Sequence, residues 1–263
     1  MIAPIELAKK LEDIVCRVSG GVFERRYWRF RGGRWYGGIA TADCVGCNLS
    51  CVFCGPVLYM SRKKISGNFM DPASVVKRLT SIAFGRKYRY LRVSGGEPTI
   101  CFDHLLQVLD EVERYPFLFI LETNGILFGY DKGLAEKLSD FEKVHVRVSI
   151  KGTNEEECSK LTMAHGKFFD YQLEAIKNLR KAGVSFHVAV VASFSTPENV
   201  KKFENVLEKI DPEVAEGLEI EYITLYPHVV ESLKRHGIVP VRAYTVDWKL
   251  INEAEYKKLF GIV

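Results

Sequence analysis

The spacing of apolar positions changes along the chain, and the changes mark its elements. Residues 5–18 place Ile5, Ala8, Leu11, Ile14, Val15 and Val18 at helical spacing, the single apolar stripe of an amphipathic helix. Gly20-Gly21 ends that helix. Over 22–36 the period drops to two. Tyr27-Trp-Arg-Phe-Arg31 alternates, Gly32-Gly33 turns and Arg34-Trp-Tyr36 returns, which predicts a β-hairpin. From Gly38 onward, short apolar runs alternate with amphipathic stretches. Strands are expected at 38–42, 88–93, 117–122, 144–150, 184–192 and 218–224. Helices are expected at about 71–83, 103–114, 132–138, 168–181 and 196–209, with a last one near 247–260. Asp71-Pro72 and Thr196-Pro197 each pair an N-cap with a proline in the first turn, and Gly183 follows the end of a helix.

Six strands alternating with helices predict an α/β fold, a parallel sheet with helical crossovers. Eight such units would close a barrel; six leave it open. In these architectures ligands sit at the carboxyl ends of the strands, so the residues that follow each strand are the first place to look for chemistry.

Composition narrows the class. The chain has 263 residues, 47% of them hydrophobic, enough for a full core. A run of about 18 apolar residues, the length of a transmembrane helix, is not found. A net charge of +4 permits an anionic partner without arguing for one. Two glutamines, Gln107 and Gln172, against 27% charged residues lean toward a thermophile. Met1 to Ser19 is charged and amphipathic, unlike a signal peptide. Seven cysteines are an odd number, so a disulfide framework is not expected and a reducing cytoplasm is.

The cysteines carry the chemistry. Cys44-Val-Gly-Cys-Asn-Leu-Ser-Cys-Val-Phe-Cys54 follows the first repeat strand. Cys47, Cys51 and Cys54 form a C-x3-C-x2-C pattern with three thiolates, and iron–sulfur clusters take thiolates as ligands. In a four-iron cubane three thiolates leave one iron open, and by analogy with zinc an open position marks a catalytic centre. A zinc ribbon sets its two C-x2-C pairs a dozen or more residues apart, whereas here three residues separate Cys44–Cys47 from Cys51–Cys54. Cys44 lies outside the triplet and reads first as a buried thiol, with a spare ligand or a redox-labile neighbour as the alternatives, and Cys16, Cys101 and Cys158 are scattered.

With Phe53 before its last cysteine, this pattern resembles the signature of the radical S-adenosylmethionine (radical SAM) enzymes. Further segments match in the family's order over roughly residues 37–230: Ser94-Gly-Gly-Glu-Pro98, Leu121-Glu-Thr-Asn-Gly125, Val148-Ser-Ile-Lys151 and Leu225-Tyr-Pro-His228. The set most resembles the activating enzymes of glycyl radical proteins, of which the pyruvate formate-lyase activator is one. The resemblance implies a partial (β/α)6 three-quarter barrel, TIM-barrel-like, over 37–230, preceded by a helix and hairpin extension (1–36) and followed by a helix-bearing segment (231–263). It implies an oxidoreductase with a 4Fe-4S cluster on Cys47, Cys51 and Cys54. It also implies S-adenosylmethionine held by Gly95, Gly96 and Glu97, with Thr123, Asn124, Ser149, Lys151 and His228 around it. Lys151 would neutralise the SAM carboxylate and His228 would contact its adenosine. Plainer roles stand beside these: a strand-to-loop turn at the glycines, an exposed Lys151, a capping His228, a turn at Thr123-Asn124. The activating enzymes carry Asp where this chain has Glu122 and again where it has Ser149, which puts their monovalent-cation site in doubt.

The activity so implied is reductive cleavage of SAM to a 5′-deoxyadenosyl radical that abstracts hydrogen from a substrate, with an external donor of flavodoxin or ferredoxin type. Three readings stand open for the target: a glycine of a partner protein; a small metabolite, peptide or tRNA base; or no reaction at all, in an iron–sulfur or zinc module. The hairpin interleaves Tyr27, Trp28, Phe30, Trp35 and Tyr36 with Arg29, Arg31 and Arg34. That composition suits nucleic acid or a protein partner, and equally a hairpin with one face on the core. Asn48 to Met60 with Arg62-Lys63-Lys64 suggests a second basic edge.

Overall fold

The computed structural model describes residues 1–55 and 66–261. Met60 and the Arg62-Lys63-Lys64 run lie outside the described residues. One mixed sheet organises the chain. Its strands are β1 (Cys16–Ser19), β2 (Val22–Gly33), β3 (Ile39–Cys44), β4 (Asn68–Met70), β5 (Tyr90–Gly95), β6 (Leu118–Thr123), β7 (Val144–Ile150), β8 (Phe186–Val191) and β9 (Glu219–Glu221). Their order is β1-β2-β3-β5-β6-β7-β8-β9, with β4 also paired to β2. From β3 to β9 every pairing is parallel, with crossover helices as the repeat predicted. The result is an α/β partial barrel.

The helical punctuation is confirmed at several ends. Asp71 accepts the Ser74 N–H at 2.8 Å and Pro72 opens the helix Pro72–Arg86. The helices Lys132–Leu138 and Phe168–Lys181 coincide with their predicted spans. An unpredicted short helix, Glu155–Thr162, starts where the Asn154 side chain accepts the Glu157 N–H. Only Cys158, Leu161 and Thr162 of it are buried, too weak an apolar stripe to show in the sequence.

The predicted hairpin is displaced. Gly32-Gly33 does not turn; β2 runs straight through it and pairs antiparallel with β3. The turn is at Gly20-Gly21, with φ of 57° and 79°, the two-residue geometry whose twist matches the flanking strands. The predicted helix of residues 5–18 therefore stops at Val15, and Cys16–Ser19 becomes a strand. At the other end, β10 (Arg242–Tyr244) and β11 (Leu250–Asn252) pair with each other. The last helix starts only at Glu253, behind an Asn252–Glu255 capping box.

The strands have two different faces. Leu91, Val93, Phe119, Leu121, Val146, Val148, Val188 and Val190 join the core under the helices. The residues that alternate with them face the concave side: Arg92, Ser94, Glu122, His145, Arg147, Ser149 and His187, with the apolar Ile120 and Ala189 among them. Parallel strands covered on both faces are ordinarily apolar throughout, so polar alternation here marks a face built to meet something other than core.

The Cys16–Cys101 pair is a correction to the sequence reading. The two cysteines form a disulfide across 85 residues, with Cα atoms 5.9 Å apart. It ties β1 to the turn Pro98–Cys101. Only tertiary proximity decides such a pairing.

Candidate functional site

The spacing of the motifs translates into a cup at the carboxyl ends of β3, β5, β6 and β7. The cysteine loop leaves β3 and lies along the glycine loop that leaves β5. Two backbone bonds join them: Gly96 N–H to Cys44 O at 2.9 Å and Glu97 N–H to Gly46 O at 2.8 Å. The approach is close enough that a Cβ on Gly96 would stand 2.2 Å from Gly46 O. Gly46 and Gly95 both take φ of 90°, which side chains rarely adopt.

Glu97 is 2% exposed and its carboxylate is committed to the protein. It accepts from Thr99 Oγ1 at 2.7 Å, Thr123 Oγ1 at 2.6 Å and Asn124 N–H at 2.8 Å. The network continues into the cysteine loop, where Asn124 Nδ2 donates to Asn48 Oδ1 at 2.7 Å. Gln172 supports it from behind, donating to Asn124 O at 2.7 Å. Thr123 and Asn124 are thus framework residues joining three loops. The sequence reading places neither Asn48 nor Gln172 in the site; what marks them is burial, at 0% exposure each, which the fold sets.

Lys151 donates to Ser149 Oγ. Burial pushes the Cys47 and Cys51 thiols up, Cys51 to about 12, and the Lys151 charge opposes this at both. His228 lies across the cup, with Nε2 3.0 Å from Gly55 O just past Cys54. The structure therefore brings Cys47, Cys51, Gly95, Gly96, Ser149 and Lys151 to one place and sets His228 against the end of the cysteine loop.

The donor set fits an iron–sulfur cluster with SAM. Among the described residues no three His, Cys, Asp or Glu side chains converge as a single metal ion requires. What the cysteine loop offers is three thiols, Cys47, Cys51 and Cys54, the donor type an iron–sulfur cluster takes. Asn48 Nδ2 is buried without a partner beside Cys47, a donor left available next to the thiols.

The concave face below the cup is charged. Arg92, 4% exposed, donates to Glu122 at 2.7 Å and Thr41 at 3.2 Å, and Ser94 donates to the other Glu122 oxygen at 2.9 Å. Burial alone would raise the Glu122 carboxyl; Arg92 and Arg147 outweigh it and hold it below the usual range. Arg147 makes a two-point pair with Glu219 at 2.9 and 3.0 Å and reaches Glu221 at 3.3 Å. The hydrogen bond from His187, opposed by burial and helped by Arg147, takes Glu219 to about 2. Tyr36, at φ 56°, packs against Tyr90 with centroids 5.8 Å apart and the rings tilted by 45°. Burial, then the Glu122 charge, pushes its hydroxyl up to about 12.

Most of the hairpin is accounted for within the protein. Arg29 and Arg31 both pair with Asp43. Arg34 stacks 3.8 Å from the Trp248 ring. Tyr27 is buried against His104 at 3.0 Å.

Comparison with known proteins gives the geometry a family. A sequence model of the radical SAM superfamily matches residues 43–210. A 7-carboxy-7-deazaguanine synthase of Thermococcus kodakarensis is 26% identical over 193 residues, 66% of this chain and 72% of that protein. Streptococcus suis SuiB bound to S-adenosylmethionine has the same fold at 18% identity and a TM-score of 0.50, covering 76% of this chain and 42% of SuiB. The chain thus spans less than half the length of SuiB. TYW1 with a lysine–pyruvate adduct superposes with a TM-score of 0.52 at 14% identity, covering 97% of this chain and 98% of TYW1. The chain belongs to the radical SAM superfamily, whose members use a 4Fe-4S cluster and S-adenosylmethionine.

Proposed function

We propose that this enzyme modifies a small polar molecule held against the charged concave face of the barrel. The carrying observation is the pair of buried inward guanidiniums, Arg92 and Arg147, matched by Glu122, Glu219 and Glu221. Buried charges are costly unless paired, and a substrate with its own charged or amide groups can share those pairs as it enters. Removal of water on binding strengthens each such contact. The 26% identity to a 7-carboxy-7-deazaguanine synthase supports a small-molecule target.

In this reading Cys47, Cys51 and Cys54 hold the cluster, and the backbone of Gly95–Glu97 binds the methionine part of SAM. Lys151 faces its carboxylate, and His228 borders the adenosine. When bound, the cluster supplies one electron and SAM the hydrogen-abstracting radical. The protein's part is position and charge. Glu97 keeps the loops in register, Gly96 lets the cysteine loop lie against bare backbone, and the Arg92–Glu122 pair orients the substrate. A reductant of flavodoxin or ferredoxin type completes the requirement.

A glycine of a partner protein is less well supported. Glu122 and Ser149 stand where the glycyl-radical activators carry Asp, and both are already engaged, by Arg92 with Ser94 and by Lys151.

The test is anaerobic. Reconstituted, dithionite-reduced protein with SAM is incubated with a cell extract split by ultrafiltration, and 5′-deoxyadenosine is quantified. Stimulation by the low-mass fraction, abolished in Cys47→Ala, is the expected result. Stimulation confined to the protein fraction would overturn the small-molecule reading in favour of a protein target.

A further inference from the structure

Arg25 belongs to none of the motifs that identify the family, yet it lies at the junction of two of them. It sits on β2, with Cys16 of β1 opposite it on one side and Met70 of β4 on the other. It is 1% exposed. One terminal nitrogen, Nη1, donates to Pro98 O at 3.0 Å. The other, Nη2, donates to Val45 O at 3.1 Å and Glu97 O at 2.9 Å, and lies 3.4 Å from Cys44 Sγ. The three carbonyls belong to the cysteine loop and the glycine loop.

The electrostatics are unusual. Among the described residues Arg25 has no carboxylate within ion-pair distance; its charge is met by carbonyl dipoles. Converging buried carbonyls need a donor at their centre, because an unsatisfied buried acceptor costs about 1–3 kcal/mol. The planar guanidinium can serve several acceptors in fixed directions, which an ammonium cannot reproduce. The loops it joins also touch through the Gly96–Cys44 and Glu97–Gly46 backbone bonds. Arg25, on β2, adds side-chain bonds to both loops, to Val45 O of one and to Glu97 O and Pro98 O of the other.

We propose that Arg25 is a positioning residue that sets the affinity for SAM by holding the glycine loop against the cysteine loop. The inference rests on the assignment of Gly95–Glu97 to SAM given above. It gives the N-terminal extension a role in the site, as its back wall, and it explains Cys44, whose thiol packs against the guanidinium and is not needed as a ligand. Arg25 acts through the loops and touches neither SAM nor substrate.

The experiment compares wild type, Arg25→Lys and Arg25→Met, each reconstituted anaerobically. Iron and sulfide content, the SAM dissociation constant by equilibrium dialysis, the SAM-induced change in the EPR spectrum of the reduced cluster, and KM and kcat for SAM cleavage are measured. The lysine variant keeps the charge and guards against a methionine variant that does not fold. The expected result is full cluster content in Arg25→Lys, SAM binding at least tenfold weaker, and KM raised with kcat at saturation retained. Arg25→Met, where it folds, is weaker still. SAM affinity equal to wild type in Arg25→Lys, with only a lower melting temperature, would overturn the proposal. So would loss of the cluster itself in that variant. Gly96→Ala separates the two levels. If it abolishes SAM binding while Arg25→Lys does not, the site assignment stands and this inference falls. If Gly96→Ala also binds SAM normally, the assignment itself has failed.

Discussion

Replacing Glu97 with glutamine tests whether the acidic residue of the glycine loop works as framework. The change conserves shape and swaps one oxygen for an NH2. Both oxygens of Glu97 accept: Oε2 takes the Asn124 N–H at 2.8 Å, and Oε1 takes the Thr99 and Thr123 hydroxyls at 2.7 and 2.6 Å, with the Thr99 N–H at 3.3 Å. An amide nitrogen in the Oε2 position would face the fixed Asn124 N–H, donor against donor. In the Oε1 position it faces two hydroxyls, which can rotate, and the Thr99 N–H, which cannot. The second orientation wins, and it still loses one acceptor and the charge assistance at the others. Hydrogen bonds to charged groups contribute about 1.5–3 kcal/mol, against about 0.5–1.5 for neutral ones, so the variant is expected to lose roughly 2–4 kcal/mol. For a chain of this size that is a fall of roughly 5–15 °C in melting temperature. Because Asn124 relays the network to Asn48 in the cysteine loop, SAM binding should weaken as well. Anaerobic calorimetry and equilibrium dialysis on the reconstituted protein check both. A melting temperature within about 2 °C of wild type, roughly the size of a surface change, would refute the reasoning.

Three further outcomes are expected. Gly96→Ala pushes a methyl into Gly46 O, so it should abolish SAM binding while far-ultraviolet circular dichroism stays native. Cys16→Ser opens an 85-residue loop, for which chain entropy predicts up to about 4.5 kcal/mol of lost stability; urea melts of wild type with and without thiol reductant should reproduce the difference. Burial holds the His104 imidazole neutral, down to about 4 from 6.5. Its Nδ1 donates to Phe23 O at 2.8 Å and its Nε2 accepts from the Tyr27 hydroxyl. Between pH 6.5 and 4 the unfolded chain binds a proton there that the folded chain refuses, so stability falls as pH falls through that window, by up to roughly 3 kcal/mol. Urea midpoints at pH 7 and pH 5 should differ, and less so in His104→Gln.

The strand-and-helix rhythm was legible because it is local. The helix 168–181 and the strand 144–150 were readable to the residue, since periodicity and end signals act within a few positions. The C-x3-C-x2-C triplet was legible for the same reason. The concave face was half legible. His145, Arg147, Ser149 and Lys151 alternate with Val146, Val148 and Ile150, a pattern that a buried parallel strand does not show. Which partners those charges take was not legible, because Glu122, Glu219 and Glu221 come from other strands.

By itself the sequence determined the α/β repeat, the number of parallel strands and the three thiols, all of which depend on neighbours along the chain. Only the tertiary structure decided the Cys16–Cys101 bridge, the true turn at Gly20-Gly21, the ion pairs across the barrel and the place of Arg25. The bridge, the ion pairs and the Arg25 contacts join segments tens of residues apart, and the Gly20-Gly21 turn is selected because the strand beyond it pairs with β3. No local propensity encodes such a contact; the packing of the sheet brings the groups together, and burial then makes their pairing matter.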